Sequence, residues 1–168
     1  MRFLATLVAF LCVADSSAAQ HPLKDLVGKT VHGRVTRVAD GDTLDIVPAG
    51  ETRAIRVRLF GIDAPERGEP FANQARARAR VLAFDKSVQF TGVSVDAYGR
   101  LVARVRAGDV DLGLDLLSNG LACHYRRYSS DQPQANAEAA AKSRAIGFWA
   151  LGAQKPRCTA PSRRPPRR

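Results

Sequence analysis

The sequence predicts an α+β domain in which five short strands form a small barrel and three helices pack around it. Five segments rich in β-branched residues are separated by turn signals. An alanine- and arginine-rich segment lies between the third and the fourth, and two more helical segments follow the fifth. The chain has 168 residues, 45% of them hydrophobic and 25% charged, which is typical of one globular domain.

The first three strands follow one another through short turns. They are predicted at residues 29–38, 43–47 and 52–59. Asp40-Gly41 is a hairpin signal between the first two. In the third, Ile55, Val57 and Leu59 share one face, so we expect that face to be buried.

A helix precedes the fourth and fifth strands. Residues 71–84 alternate alanine with arginine, which mimics a strand. Both residue types are strong helix formers, however, and no β-branched residue appears before Val81. We therefore predict a helix that Pro70 is well placed to start, followed by strands at 87–95 and 101–106.

Two further helices end the domain. Apolar spacing predicts one at 110–119, stopped by Gly120. Asp131 can cap and Pro133 can open another, running to about Gly147. Three strands, a helix, two strands and two helices fit a five-stranded Greek-key β-barrel of the oligonucleotide-binding type.

The two ends of the chain differ from this domain, which we place at 20–152. Residues 1–19 combine a basic start, an apolar stretch and small residues, the pattern of a secretory signal cleaved after Ala19. An uncleaved membrane anchor is the alternative. Residues 153–168 are rich in proline and arginine, and we expect a disordered basic tail. We therefore expect export to the periplasm or the medium, without stable membrane insertion once the signal is removed.

The formal net charge of +10 favours a polyanionic partner, either nucleic acid or an anionic membrane surface. From Lys155 to Arg168 there are six basic residues and no acidic ones, so the tail carries much of the excess. The tail could bind anionic lipid or polymer whatever the domain does.

Cleavage of the signal would remove Cys12 and leave Cys123 and Cys158. Two cysteines in an exported protein suggest one disulfide, here joining the tail to the body. Two free thiols are the alternative, because sequence alone does not show that the Cα atoms come within bridging distance.

Carboxylates and an arginine are concentrated at turns that follow predicted strands. One group is Asp40-Gly41-Asp42-Thr43, and the other runs from Arg58 to Glu66. Carboxylate oxygens hold hard cations such as Ca²⁺, and arginine grips phosphate through paired hydrogen bonds. Each segment alone is more commonly a turn or a solvated loop. Together they contain the groups that a phosphodiesterase needs.

These segments resemble the staphylococcal nuclease (thermonuclease) family. The similar stretches are V-x-D-G-D-T-L at 38–44, R-L-x-G-I-D-A-P-E at 58–66 and D-x-Y-G-R at 96–100. Several motifs in one order are far more specific than any one alone. The resemblance implies an oligonucleotide-binding fold and a Ca²⁺-dependent, sugar-nonspecific nuclease. Such an enzyme cleaves DNA and RNA at the bond between phosphorus and O5′, leaves 3′-phosphates, and is expected to be a monomer.

The resemblance also implies a metal site. Asp42 and Asp63 would bind Ca²⁺ directly, and Asp40 would reach the ion through water. Ala64 would contribute its main-chain carbonyl, for which an alanine suffices.

Three charged residues are implied in catalysis. Glu66 would orient or deprotonate the attacking water, while Arg58 and Arg100 would bind the scissile phosphate and stabilise its developing charge. Strict strand alternation does not put Asp42 and Arg58 on one face. Strand ends at a barrel mouth could reconcile the two positions.

Three tyrosines are candidate substrate contacts. The resemblance implies that Tyr98 holds the neighbouring phosphate. Tyr125 and Tyr128 could stack on bases, or could equally pack a half-buried segment.

The alternative function is a noncatalytic nucleic-acid-binding module, because the same fold often only binds. The acidic residues argue against it, since a pure binder does not need carboxylates facing a polyanion.

Overall fold

The computed structural model describes residues 23–152 and 156–159. The strands are β1 Thr30–Val38, β2 Thr43–Pro48, β3 Ile55–Leu59, β4 Ile62–Asp63, β5 Ser87–Val95, β6 Leu101–Ala107, β7 Val110–Asp111 and β8 Cys123–His124. The α-helices are α1 Ala72–Ala83, α2 Leu112–Ser118 and α3 Gln132–Ser143, and short 3-10 helices span Leu23–Leu26, Gly147–Ala150 and Arg157–Thr159. The expected signal and most of the expected tail lie outside the described residues. No helix in the described ranges combines the length and apolar character that crossing a bilayer requires.

Five strands close into a barrel. They are ordered β3-β2-β1-β5-β6, and β3 also pairs with β6 to complete the circle. The closing pair is parallel and sets Arg58 opposite Val102, whereas the other barrel pairs are antiparallel. The closed five-stranded barrel with three α-helices confirms the predicted fold class.

Alternating side chains fill the barrel. In β3, Val57 and Leu59 are buried, while Arg56 and Arg58 lie on the other face. The largest fully buried apolar side chains come from the strands and from α2 and the following chain: Phe90, Phe148, Leu44, Ile46, Leu59, Ile62, Leu101, Leu112, Leu116, Leu117 and Val35.

The first two helices begin later than predicted. Helix α1 starts at Ala72 rather than at Pro70, because Phe71 has a left-handed backbone (φ 65°) that cannot belong to the helix. Helix α2 starts at Leu112, because the Asp111 side chain caps it.

Helix α3 begins as predicted and ends early. The Asp131 carboxylate accepts the main-chain N–H of Gln134, which is the predicted cap. The helix ends at Ser143 instead of near Gly147, because Ala145 turns the chain with a φ of 50°.

A two-stranded sheet joins the segment after β3 to the segment after α2. Strands β4 and β8 pair antiparallel, with Asp63 opposite Cys123. Strand β4 and strand β8 were not among the predicted strands, because two residues of strand show no periodicity. Cys123 is bonded to Cys158 with Cα atoms 5.8 Å apart, which ties the 3-10 helix Arg157–Thr159 to β8.

Candidate active site

Asp42 lies in the β1–β2 turn, immediately before β2 begins at Thr43. Its main-chain oxygen accepts the N–H of Leu59 at 2.8 Å, and the residue is only 3% exposed. One carboxylate oxygen accepts the Ala64 N–H at 2.9 Å, and the other accepts the Thr43 hydroxyl at 3.0 Å. This strand-end position turns Asp42 toward the segment after β3, so alternation does not separate it from Arg58.

Arg58 joins the two predicted metal ligands. Its Nη1 donates to Asp42 Oδ1 at 3.0 Å, and its Nη2 donates to Asp63 Oδ1 at 2.6 Å. Its Nη2 also lies 3.4 Å from the carbonyl oxygen of Ile62. The structure thus brings together three of the sequence-predicted residues, Asp42, Arg58 and Asp63, named here the Asp-Arg-Asp cluster.

Burial dominates the electrostatics of this cluster. It raises the pKa of Asp42 to about 7, and the Arg58 guanidinium only partly offsets the effect. The neighbouring carboxylates of Asp40 and Asp63 raise this pKa further. Burial alone would lower the pKa of Arg58, but Asp42 and Asp63 raise it. One guanidinium is therefore shared by more negative charge than it neutralises.

Gly41 is required here for close approach. Its φ is not in the left-handed region, which the type I′ hairpin turn signalled by Asp40-Gly41 would require. A Cβ at this position would lie 2.7 Å from the Cβ of Ala64 and 2.8 Å from the Cβ of Ala75 in α1. The missing side chain lets the β1–β2 turn, α1 and the Ala64 segment meet.

Arg100 is oriented by Asp96. The Asp96 carboxylate accepts the main-chain N–H groups of Tyr98 and Arg100, both at 2.9 Å, and Arg100 Nε at 2.7 Å. Burial would raise the pKa of Asp96, but these hydrogen bonds and the guanidinium hold it below its usual value. Arg100 immediately precedes β6, whose first residue Leu101 pairs with Val57, the neighbour of Arg58 in β3.

Glu66 is exposed on the same segment as Asp63. Its main-chain N–H donates to Glu69 Oε2 at 2.9 Å. Within the described residues, the Glu66 carboxylate has no hydrogen bond or ion pair. Neither Glu66 nor Arg100 makes a hydrogen bond or ion pair to the Asp-Arg-Asp cluster.

The three tyrosines occupy two places. Tyr98 is 78% exposed beside Arg100, whose guanidinium carbon lies 5.3 Å from the ring centroid. Tyr125 and Tyr128 form an edge-to-face pair with centroids 4.9 Å apart. Burial raises the pKa of Tyr125, and the charges of Tyr128 and Asp63 raise it further, so this phenol lies near the cluster.

The donor groups fit a hard cation. Asp42 and Asp63 offer only oxygen, the element that Ca²⁺ prefers, and the raised pKa of Asp42 marks a charge that a cation would stabilise. Among residues 23–152 and 156–159, no three acidic, histidine or cysteine groups are close enough to hold an ion by themselves. Main-chain carbonyls or water would have to complete a coordination shell.

Three contributors to the site were missing from the sequence-based set. Asp96 orients Arg100, the Thr43 hydroxyl bonds Asp42, and Glu69 holds the Glu66 amide. The spacing from Asp96 to Tyr98 is an Asx-turn signal that could have identified Asp96. No local pattern identifies Glu69.

Known proteins similar to this chain are nucleases. The family model described as staphylococcal nuclease homologue matches residues 56–151. The micrococcal nuclease of Shigella flexneri is 38% identical over 136 residues, covering 74% of this chain and 77% of that protein. An uncharacterized endonuclease of Haemophilus influenzae is 33% identical over 117 residues, covering 70% of this chain and 65% of the relative. One from Escherichia coli is 32% identical over 120 residues, covering 71% and 77%.

Proposed function

Because this chain belongs to the staphylococcal nuclease family, we propose that it is an exported, Ca²⁺-dependent nuclease that hydrolyses DNA and RNA to 3′-phosphate products. Membership of this family makes the chain a nuclease, a hydrolase of phosphodiester bonds with a nucleic-acid substrate. The side chains of the site support the use of Ca²⁺, and the first 19 residues of the sequence support export.

The Asp-Arg-Asp cluster carries the proposal. A buried carboxylate that ordinary solvation would ionise has its pKa raised to about 7, although a guanidinium touches it at 3.0 Å. A protein interior keeps such unbalanced charge mainly where function requires it. A structural ion pair such as Arg34–Asp85 differs, because it joins one arginine to one carboxylate and both side chains are exposed.

Asp42 and Asp63 would hold Ca²⁺, with Asp40 acting through water and Ala64 through its main-chain carbonyl. When bound, Ca²⁺ supplies positive charge opposite the negative charge that builds on the phosphate.

Glu66 would take the proton from the attacking water. Its carboxylate is exposed and free of hydrogen bonds among the described residues, so solvent and substrate can reach it. A positioned general base typically contributes about 10²–10⁴-fold to rate.

Arg58 and Arg100 would bind the scissile phosphate. Each guanidinium has five N–H donors, so those already bonded to carboxylates leave others for phosphate oxygens. Arginine suits this role because it remains charged and binds two oxygens at once. Such phosphate contacts carry no base information, consistent with cleavage of both DNA and RNA.

The tyrosines would contact the rest of the substrate. Tyr98, exposed beside Arg100, would hold the neighbouring phosphate. Tyr128 is 56% exposed and available for base stacking, while Tyr125 is half-buried.

Digestion of plasmid DNA and of RNA tests the proposal directly. Cleavage should stop in EDTA and return when Ca²⁺ is restored in excess, and product ends should carry 3′-phosphate. Chelator-insensitive cleavage, or no cleavage with Ca²⁺, would refute it. Salt-sensitive binding without cleavage would instead support the noncatalytic module.

Export is tested separately by expressing the full chain. The mature protein should be recovered outside the cytoplasm with Gln20 as its first residue. An intact N-terminus on protein retained in the cytoplasm would contradict the proposed signal.

A further inference from the structure

The 3-10 helix Arg157–Thr159 is fixed at two points beside the segment that carries Glu66. The first point is the disulfide from Cys158 to Cys123. Cys123 stands directly opposite Asp63 in the β4–β8 pair. A covalent bond therefore attaches this helix to the strand that supports a proposed metal ligand.

The second point is Glu69. Its Oε1 accepts the main-chain N–H of Arg157 at 3.3 Å and forms an ion pair with Arg157 Nε at 3.2 Å, while its Oε2 accepts the Glu66 N–H at 2.9 Å. The Glu69 side chain is 14% exposed, although Arg157 is 86% exposed. Glu69 also contacts the start of α1, because its carbonyl accepts the N–H of Ala72, the first residue of that helix, at 3.2 Å. One carboxylate thus links the C-terminal helix, the Glu66 backbone and α1.

We infer that residues 156–159 form a disulfide-held clasp in which Glu69 is a positioning residue for Glu66. An exposed ion pair such as Arg157–Glu69 contributes little by itself. The disulfide holds the neighbouring Cys158 at Cys123, which shortens the tether and raises the effective concentration of Arg157 at Glu69. This inference rests on the proposed function, because it gives Glu66 the role of base.

Reduction of the disulfide should release the clasp. A dithiol reductant gives two electrons and two protons to the Cys123–Cys158 bond, which becomes two thiols, while the dithiol closes to its own disulfide. The C-terminal 3-10 helix then loses one of its two fixed points, and Glu69 loses the support of Arg157. The phosphate-binding arginines keep their contacts with Asp42, Asp63 and Asp96, so turnover should fall more than substrate binding.

The experiment compares the full-length protein with Cys158→Ser, Arg157→Ala and Arg157→Lys. We expect kcat to fall about five- to tenfold in the first two variants, with KM changed less than twofold, because a displaced base slows chemistry without removing binding contacts. Arg157→Lys should recover most of the rate. Treatment of the unsubstituted protein with dithiothreitol should reproduce the Cys158→Ser result.

Arg34→Ala is the matched control. It too removes an arginine–carboxylate pair, that of Arg34 with Asp85, but this pair joins strand β1 to the turn before β5. Its kcat should be unchanged.

Amide hydrogen exchange at Glu66 gives a readout independent of activity. Exchange should be at least tenfold faster in Cys158→Ser and Arg157→Ala than in the unsubstituted protein or in Arg34→Ala. Equal kcat and equal exchange in all of these proteins would overturn the clasp.

If Cys158→Ser unfolds at the assay temperature, the comparison is made with Arg157→Ala instead. An inactive unsubstituted protein would refute the proposed function, while the exchange measurement would still decide the clasp.

Discussion

At the scale of the residue, the site depends on how each charge is partnered. Arg58 is shared between Asp42 and Asp63, Arg100 is held by Asp96, and the Glu66 carboxylate has no partner in the described part of the chain. These three arrangements suit three different tasks. A shared guanidinium leaves negative charge for a cation, a held guanidinium is preoriented for phosphate, and an unbonded carboxylate is available to water.

Glu66→Gln should lower kcat by about 10²–10⁴-fold, because the amide cannot accept a proton from water. The fold should be intact, since the side chain supports no other described residue. Steady-state kinetics with Ca²⁺ and a thermal unfolding curve measure both effects. A near-normal rate would remove Glu66 from the proposed role.

Arg100→Ala should lower kcat by about 10²–10³-fold, the loss typical of one donor to a developing charge. Asp96→Asn tests orientation of the same guanidinium and should cost less, because the charge remains. If both variants cleave at the normal rate, Arg100 does not contact the phosphate.

The metal-free protein should show a pH dependence traceable to Asp42. Because its pKa is raised from 3.8 to about 7, the folded state binds more protons than the unfolded state between these values. The free energy of unfolding must therefore fall as pH rises through this window, by a few kcal/mol at most. Urea denaturation from pH 4 to 8 in EDTA measures it.

Asp42→Asn is the control for that measurement, since an amide does not titrate. As pH rises, the unfolding free energy of the unsubstituted protein should fall relative to that of Asp42→Asn. A difference that grows in favour of Asp42 would contradict the raised pKa.

At the scale of the element, the site lies where pieces distant in sequence meet. The β1–β2 turn supplies Asp42, β3 supplies Arg58, and β4 supplies Asp63. Gly41 makes this possible, because the turn passes within Cβ contact of Ala64 and α1. The geometry of the cluster is thus a property of packing between elements.

Gly41→Ala should destabilise the protein by about 1–3 kcal/mol, the usual cost of overpacking. The added Cβ would also push Ala64, whose N–H bonds Asp42, so activity should fall as well. Gly152→Ala is the matched control, because a Cβ there meets nothing within 4 Å. Denaturant unfolding and kinetics would show the contrast; equal stability of the two variants would contradict the packing argument.

At the scale of the whole molecule, the net positive charge favours association with a nucleic-acid substrate. The chain carries a formal net charge of +10, and four arginines lie beyond the described residues, between 160 and 168. Diffuse positive charge raises association with any polyanion and is screened by salt. The local phosphate contacts proposed above then act on substrate that charge has already concentrated.

Removal of residues 160–168 should reduce the salt dependence of binding to duplex DNA. Each phosphate contact contributes about 0.9 to the slope of log K against log salt, so the loss of four arginines lowers the slope by at most about 3–4. Cys158 remains, and kcat should be unchanged. Fluorescence anisotropy in EDTA across a salt series is the measurement, and an unchanged slope would show that the tail does not touch phosphate.

Local sequence was enough for the barrel strands and for the Asp131 cap, because period-two alternation and capping chemistry act within a few residues. It was not enough for β4 and β8. Each of these strands has two residues and exists only because the other is beside it. Local sequence also did not predict that α1 starts as late as Ala72, since nothing near Pro70 indicates the left-handed backbone of Phe71.

The sequence by itself determined the family, the charge and the residue types of the candidate site. Motifs of carboxylate, glycine and arginine in a fixed order are chemical identities and can be read without coordinates. Tertiary structure alone decided that Arg58 joins Asp42 to Asp63, and that Glu69 links Glu66 to the C-terminal helix. Asp42 and Arg58 lie in different parts of the chain, and so do Glu69 and Arg157. The distances between these residues follow from closure of the barrel and packing around Gly41, which no local pattern records.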